Sequence, residues 1–246
     1  YLLLVILSLA VSSVTISVVT GAQPREADDD DDDALDDELP SWLELRVFIH
    51  QPRVVKPNHL GTCALTVNAN VNHFDAAPWH LSGPMTWSLN RRTVPSSVAD
   101  SVDSVLNASF DTWYSGIFSQ GADTRARRAR LDMVNAVLWK RLRRSMLGVT
   151  YVWYSRVLGD VVEADTVFNK RHPWAIFPNS PECQNSPDAY DLQNIATHEF
   201  GHWAGLDDLF DDSDKDLTMY GFGAGGEIKK RTLGTGDVSG KNTLQP

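Results

Sequence analysis

Between Ser97 and Tyr114 the apolar residues Val98, Val102, Val105, Leu106, Phe110 and Trp113 recur at three- and four-residue steps, with Ser109 on the same face. That spacing gathers one apolar stripe on an α-helix. Pro95-Ser96-Ser97 offers the helix a start, and Gly116 follows its end. Trp42 to His50 and Met85 to Asn90 alternate as strands do, and Cys63 to Val67 makes a short apolar run. Val134 to Trp139, Val149 to Tyr154 and Val161 to Phe168 are β-rich. A second helix is predicted through Leu192, Ile195, Ala196 and Phe200, with Asp188 or Asp191 placed to cap it. Strand, long helix, several strands and a further helix predict an α+β fold, a sheet with its helices on one side. No internal repeat interrupts that reading.

The ends of the chain follow other patterns. Leu2 to Val19 carries no charge and precedes the small residues Thr20-Gly21-Ala22, so residues 1–22 read as a secretory signal peptide, or as an N-terminal membrane anchor if uncleaved. Residues 23–40 read as an acidic disordered linker, since its run of aspartates repels itself and offers little to bury. Ten acids and one base lie between Gln23 and Glu38, a charge of −9, which leaves −1 of the total of −10 for everything else. The acidity of the chain therefore says nothing about its folded part. Residues 41–80, punctuated by Pro52, Pro57 and Pro78, form an N-terminal segment or pro-segment, and 81–246 is long enough for one catalytic domain. Arg125, Arg127, Arg128, Arg130, Lys140, Arg141, Arg143 and Arg144 make a basic segment, expected to be a solvated face. No nucleic-acid motif accompanies it, so no nucleic-acid partner is expected. Two cysteines in an exported chain, Cys63 and Cys183, predict a disulfide; two buried thiols, or Cys63 as a thiolate that blocks a metal, are the alternatives.

The chemistry concentrates in HEFGHWAGLDD, residues His198 to Asp208. Residues four apart on a helix lie about 40° apart around its axis and about 6 Å along it, so His198 and His202 project side by side and can grip one cation. Glu199 is turned about 100° from His198, off that arc but near enough to serve a water at the metal as a base. Gly205 can take the left-handed conformation that ends the helix, and Asp208 then brings a carboxylate as third ligand. Three protein ligands leave zinc an open position, the mark of a catalytic site.

With these residues in place the sequence resembles the extended zinc signature of the metzincin peptidases, with aspartate for their usual third histidine, as also in the snapalysins. The resemblance covers roughly Ala77 to Pro246 and is closest to the matrixin branch. It implies a twisted mixed β-sheet with a long helix, an active-site helix, a Met-turn at Leu217-Thr218-Met219-Tyr220-Gly221 and a C-terminal helix from about Thr232. It further implies Zn2+ held by His198, His202 and Asp208, Glu199 as general base, Met219 beneath the metal, and Tyr220 and Phe222 near a specificity pocket. The implied activity is a secreted, monomeric endopeptidase whose protein or peptide substrate lies extended along an edge strand. A zinc-binding adhesion module without turnover is the alternative. Two family features are missing. His172 stands alone where vertebrate matrixins carry a histidine-rich structural zinc segment, and Cys63 sits in no cysteine-switch motif. Asp211, Asp212, Asp214 and Asp216 are spaced as in some Ca2+ loops but lack the EF-hand glycine and distal glutamate, so a solvated loop is expected.

Overall fold

Strands whose residues are apolar on both faces need cover on both, and two apolar clusters supply it. The computed structural model describes residues 17–19, 39–53, 70–178 and 188–246. Thirteen elements matter here: β1 (Ser17–Val19), β2 (Leu43–Pro52), β3 (Met85–Leu89), α1 (Val102–Trp113), β4 (Phe118–Gln120), β5 (Asn135–Lys140), β6 (Gly148–Ser155), β7 (Val161–Asn169), β8 (Trp174–Ala175), β9 (Tyr190–Asp191), α2 (Leu192–Trp203), β10 (Phe222–Gly223) and α3 (Thr235–Thr243). Cys63, Cys183 and the strand expected at Cys63 to Val67 lie outside the described residues, as does the acidic run. Among the described residues no helix is long and apolar enough to cross a membrane.

The main sheet runs β1-β2-β6-β7-β5-β3-β4, with β10 added to β2. Its pairs are parallel except those of β6, which is antiparallel to both β2 and β7. The fold of the described residues is thus mixed α+β, with a mostly parallel central sheet and three α-helices. Alternation along β5 sends Val137 and Trp139 to the cluster that contains α1 and α2, and Ala136 and Leu138 to the opposite face. Among the described residues no helical one enters that second cluster, which Ala129 and Leu142 help to close. Both come from the basic segment, so its apolar positions cover the sheet while Arg125, Arg127, Arg130, Arg141 and Arg144 are exposed.

The expected long helix begins later than its periodicity suggests. Ala99–Ser101 is a single 3-10 turn before α1, although Val98 is buried with the rest of the stripe. Within the N-terminal segment, Leu43–Pro52 joins the same sheet, pairing with β6 from Leu43↔Ser155 to His50↔Gly148. Leu43, Leu45 and Val47 face the second cluster, and Phe48 faces the first.

Candidate metal centre

Asp191 caps α2 by accepting from Asn194 N at 2.9 Å, while the Arg231 guanidinium braces the same carboxylate. Phe200 then stacks on Phe110 of α1, centroids 3.6 Å apart and planes 4° from parallel, which fixes the rotation of the helix. At its far end Gly205 has φ +96°. Leu206 N reaches Gly201 O at 3.0 Å and Gly205 N reaches His202 O at 3.1 Å, the two bonds of a Schellman stop. A side chain at 205 would also stand 2.7 Å from Trp79 O. The glycine therefore ends the helix and lets the chain double back to bring Asp208 under it.

His198, His202 and Asp208 form one group whose candidate ligand atoms all lie within 4.8 Å of one another, and this buried group can hold a metal ion. Asp208 Oδ1 is 3.1 Å from His198 Nε2 and 3.7 Å from His202 Nε2. The tautomers follow from the opposite nitrogens. His198 Nδ1 lies 2.8 Å from Thr218 O and His202 Nδ1 2.8 Å from Leu206 O. A carbonyl only accepts, so both Nδ1 atoms carry the proton and both Nε2 lone pairs face Asp208. Those two nitrogens and both Asp208 oxygens are buried without a hydrogen-bond partner. Leaving such atoms unpaired costs roughly 1–3 kcal/mol each, and a bound cation would offset that cost.

Asp207 does not point into the group. Its carboxylate accepts from Asp208 N at 2.8 Å and pairs with Arg46 at 3.2 Å.

Glu199 is fully buried beside the histidines. Thr150 of β6 donates to its Oε2 at 2.6 Å, and Thr150 is itself held at 2.8 Å from Thr166, which accepts from Trp203 Nε1. Glu199 Oε1 is left without a hydrogen bond, 3.5 Å from His50 Nδ1. Burial pushes the Glu199 carboxyl up to about 8, with Thr150 opposing, and raises Asp208 as well. Burial likewise lowers His202 to about 3 and His198 well below its ordinary value, so the imidazoles are neutral in the folded chain.

Met219 packs against Gly201, one residue before His202, so tightly that a Cβ there would overlap its sulfur. The turn that carries it is tied from below: Asp237 of α3 accepts from Thr218 N at 2.9 Å, Met219 N at 3.1 Å and Gly234 N at 2.8 Å. Tyr220 and Phe222 sit together, rings 5.5 Å apart, but Tyr220 is buried and Phe222 pairs with Gln51, so both abut the end of β2. The loop at Asp211 to Asp216 is exposed apart from Asp214, which turns inward to His73 Nδ1 at 2.8 Å. His172 is half-buried, its Nε2 3.0 Å from Met146 O.

Four residues at the site escape a reading of the sequence. Thr150 and His50 arrive by strand register, which no local pattern reveals. Lys230 is fully buried, its amine donating to Tyr220 O, 3.2 Å from His50 Nε2, and burial lowers it to about 7. Asp237 had a signal, an acid at the third position of a helix start. No family model matches the chain, and no curated protein matches it.

Proposed function

We propose that this chain is a secreted zinc-dependent endopeptidase, with the catalytic domain of a matrixin-like metzincin. One observation carries the reading: two imidazole nitrogens and a carboxylate, all buried and unpaired, converge beside a glutamate that keeps one oxygen free. A tetrahedral zinc spaces its donor atoms about 3.3 Å apart, close to the separations from Asp208 Oδ1 to the two histidines. Two neutral imidazoles and a carboxylate are also a donor set that zinc accepts. Bound there, zinc supplies an electrophile that polarises a peptide carbonyl and lowers the pKa of water.

The chain's own residues divide the remaining work. Thr150 fixes Glu199 by one oxygen, which leaves Oε1 to take the proton from water and return it to the leaving nitrogen, and a dication bound beside it would favour the ionised carboxylate against the burial that raises it. Thr218 O and Leu206 O hold the imidazoles with Nε2 forward. Met219 supports the helix between them. Export rests on residues 2–22 of the sequence alone.

Digesting a peptide library with zinc-loaded protein, with and without chelator, tests this. Cleavage should depend on metal, and Glu199→Gln should keep zinc while losing about 10² to 10⁴ in rate. Near-wild-type turnover by Glu199→Gln would contradict the assignment. A second reading, a zinc-binding module without turnover, is favoured by the complete burial of His198, Glu199 and His202. It predicts bound zinc and no cleavage under any condition.

A further inference from the structure

The basic segment folds as one surface, on the face of the sheet opposite the helices. Its first half crosses that face from β3 to β7. Thr124 N reaches Leu89 O at 2.9 Å, Asn90 donates to Ala126 O at 2.7 Å, and Arg130 N donates to Asp165 at 3.0 Å. Its second half is tied to the end of β7, where Asn169 donates to Arg143 O at 2.7 Å and accepts from Leu142 N at 3.0 Å and Arg171 N at 2.9 Å. Ala126 and Ala129 from one half and Leu142 and Met146 from the other pack against the second apolar cluster. With the apolar positions turned inward, Arg125, Arg127, Arg141, Arg144, Lys170 and Arg171 are left exposed around that cluster.

Little on this surface neutralises those cations. Asp165 and Glu163 of β7 lie beneath it, but their carboxylates accept from backbone, Asp165 from Ala136 N at 2.6 Å and Glu163 from Asp132 N at 2.9 Å. Asp132 itself pairs with Arg130 at 2.6 Å. Among the described residues no ion pair engages the six exposed cations. The opposite charge is concentrated in residues 26–38, which hold ten acids and no base and lead directly into Leu39. Leu39 packs against the second apolar cluster too, so the acidic run is fastened at its end to the patch on which the basic segment rests. Thirteen residues span up to about 40 Å when extended, whereas β2 and β5, three strand spacings apart, are separated by about 15 Å.

We propose that this basic surface is the docking site of the chain's own acidic run, residues 26–38, which occupies it in cis and holds it against outside polyanions. Five of the six exposed cations are arginines, whose planar guanidinium meets a carboxylate through two parallel hydrogen bonds. Attachment at Leu39 gives the run an effective concentration of about 1 mM. Docking with a Kd of about 0.1 mM then lowers the apparent affinity of a competing polyanion about tenfold. Both partners are solvent-facing charges, so salt weakens their attraction. No residue of either belongs to the candidate metal centre, and the inference is independent of the endopeptidase reading.

Two measurements on the full chain test this. Carbodiimide joins a carboxylate to an amine in contact with it, and Lys170 supplies an amine on the surface. At low salt, residues 26–38 should be cross-linked to Lys170 within one chain, and the cross-link should disappear at about 1 M salt, where the Debye length is about 3 Å. Heparin, a sulfated polyanion, reads the competition. Replacing all six residues from Asp28 to Asp33 by asparagine should raise heparin affinity about tenfold, and adding Arg127→Glu and Arg144→Glu should remove the gain. Cross-links found only between chains would assign the run to a second copy and overturn docking in cis. A gain in heparin affinity with no cross-link would mean long-range repulsion alone, and equal affinity with no cross-link would leave a solvated face; either result overturns the proposal.

Discussion

Asp208 is the residue on which the candidate centre differs most from three histidines. Its carboxylate brings a negative charge, so His198, His202, Asp208 and Zn2+ sum to +1 where three imidazoles would give +2. A less positive metal acidifies water less, so the acid limb of the pH–rate profile should lie higher than in a three-histidine site. Asp208→His should shift that limb to lower pH in a profile of kcat/KM, provided the variant still takes up zinc; a limb that stays or rises would count against the charge argument. Asp208→Ala should lose metal, whereas Asp207→Ala should keep it, because the Asp207 carboxylate is engaged with Arg46 and Asp208 N. Zinc retained by Asp208→Ala and lost by Asp207→Ala would reverse the ligand register. Such short-range features were legible in the sequence, because helix geometry fixes what residues four apart can share. The partners of Glu199 were not: Thr150 lies 49 positions away and is brought there by strand pairing.

At the scale of elements, α2 is defined by what each end and each face must satisfy. Asp191 starts it, the Schellman bonds at Gly205 stop it, and Gly201 lets the Met219 turn approach. Gly201→Ala should therefore destabilise the protein even though alanine favours helix. The added methyl would overlap Met219 Sδ and stand 2.7 Å from Trp113 Cζ2, and overpacking of this kind typically costs about 1–3 kcal/mol. Denaturant unfolding should show a lower midpoint with an unchanged slope; an unchanged or higher midpoint would mean that the turn is not seated there. β3, by its alternation, and β5, β6 and β7, as β-rich runs, were legible within a residue or two, whereas the three-residue β4 was not. The place of β2 was not legible. Its alternation predicts a strand, but nothing in it specifies β6 as partner, about a hundred residues on.

For the whole molecule, the buried imidazoles tie folding to pH. Burial lowers His202 to about 3 and His198 well below its ordinary value, whereas in the unfolded chain both titrate near 6.5. At these two positions the unfolded state thus binds more protons below that pH, so their contribution to stability should decline as pH falls through about 6.5 toward 3, while Glu199 and Asp208, raised by burial, act in the opposite sense. Thermal melts of chelator-treated protein between pH 7.5 and pH 5 would check this, with a His198→Gln/His202→Gln variant expected to lose less on acidification. A variant that declines as steeply as wild type would place the titrating groups elsewhere.

The account stands or falls on which atoms hold the metal, and zinc-edge X-ray absorption on intact, zinc-loaded protein reads them directly. The expected result is one zinc per chain with two imidazoles and carboxylate oxygen, at about 2.0–2.2 Å. A sulfur in the shell, three imidazoles, or no zinc retained after dialysis would contradict a centre built from His198, His202 and Asp208.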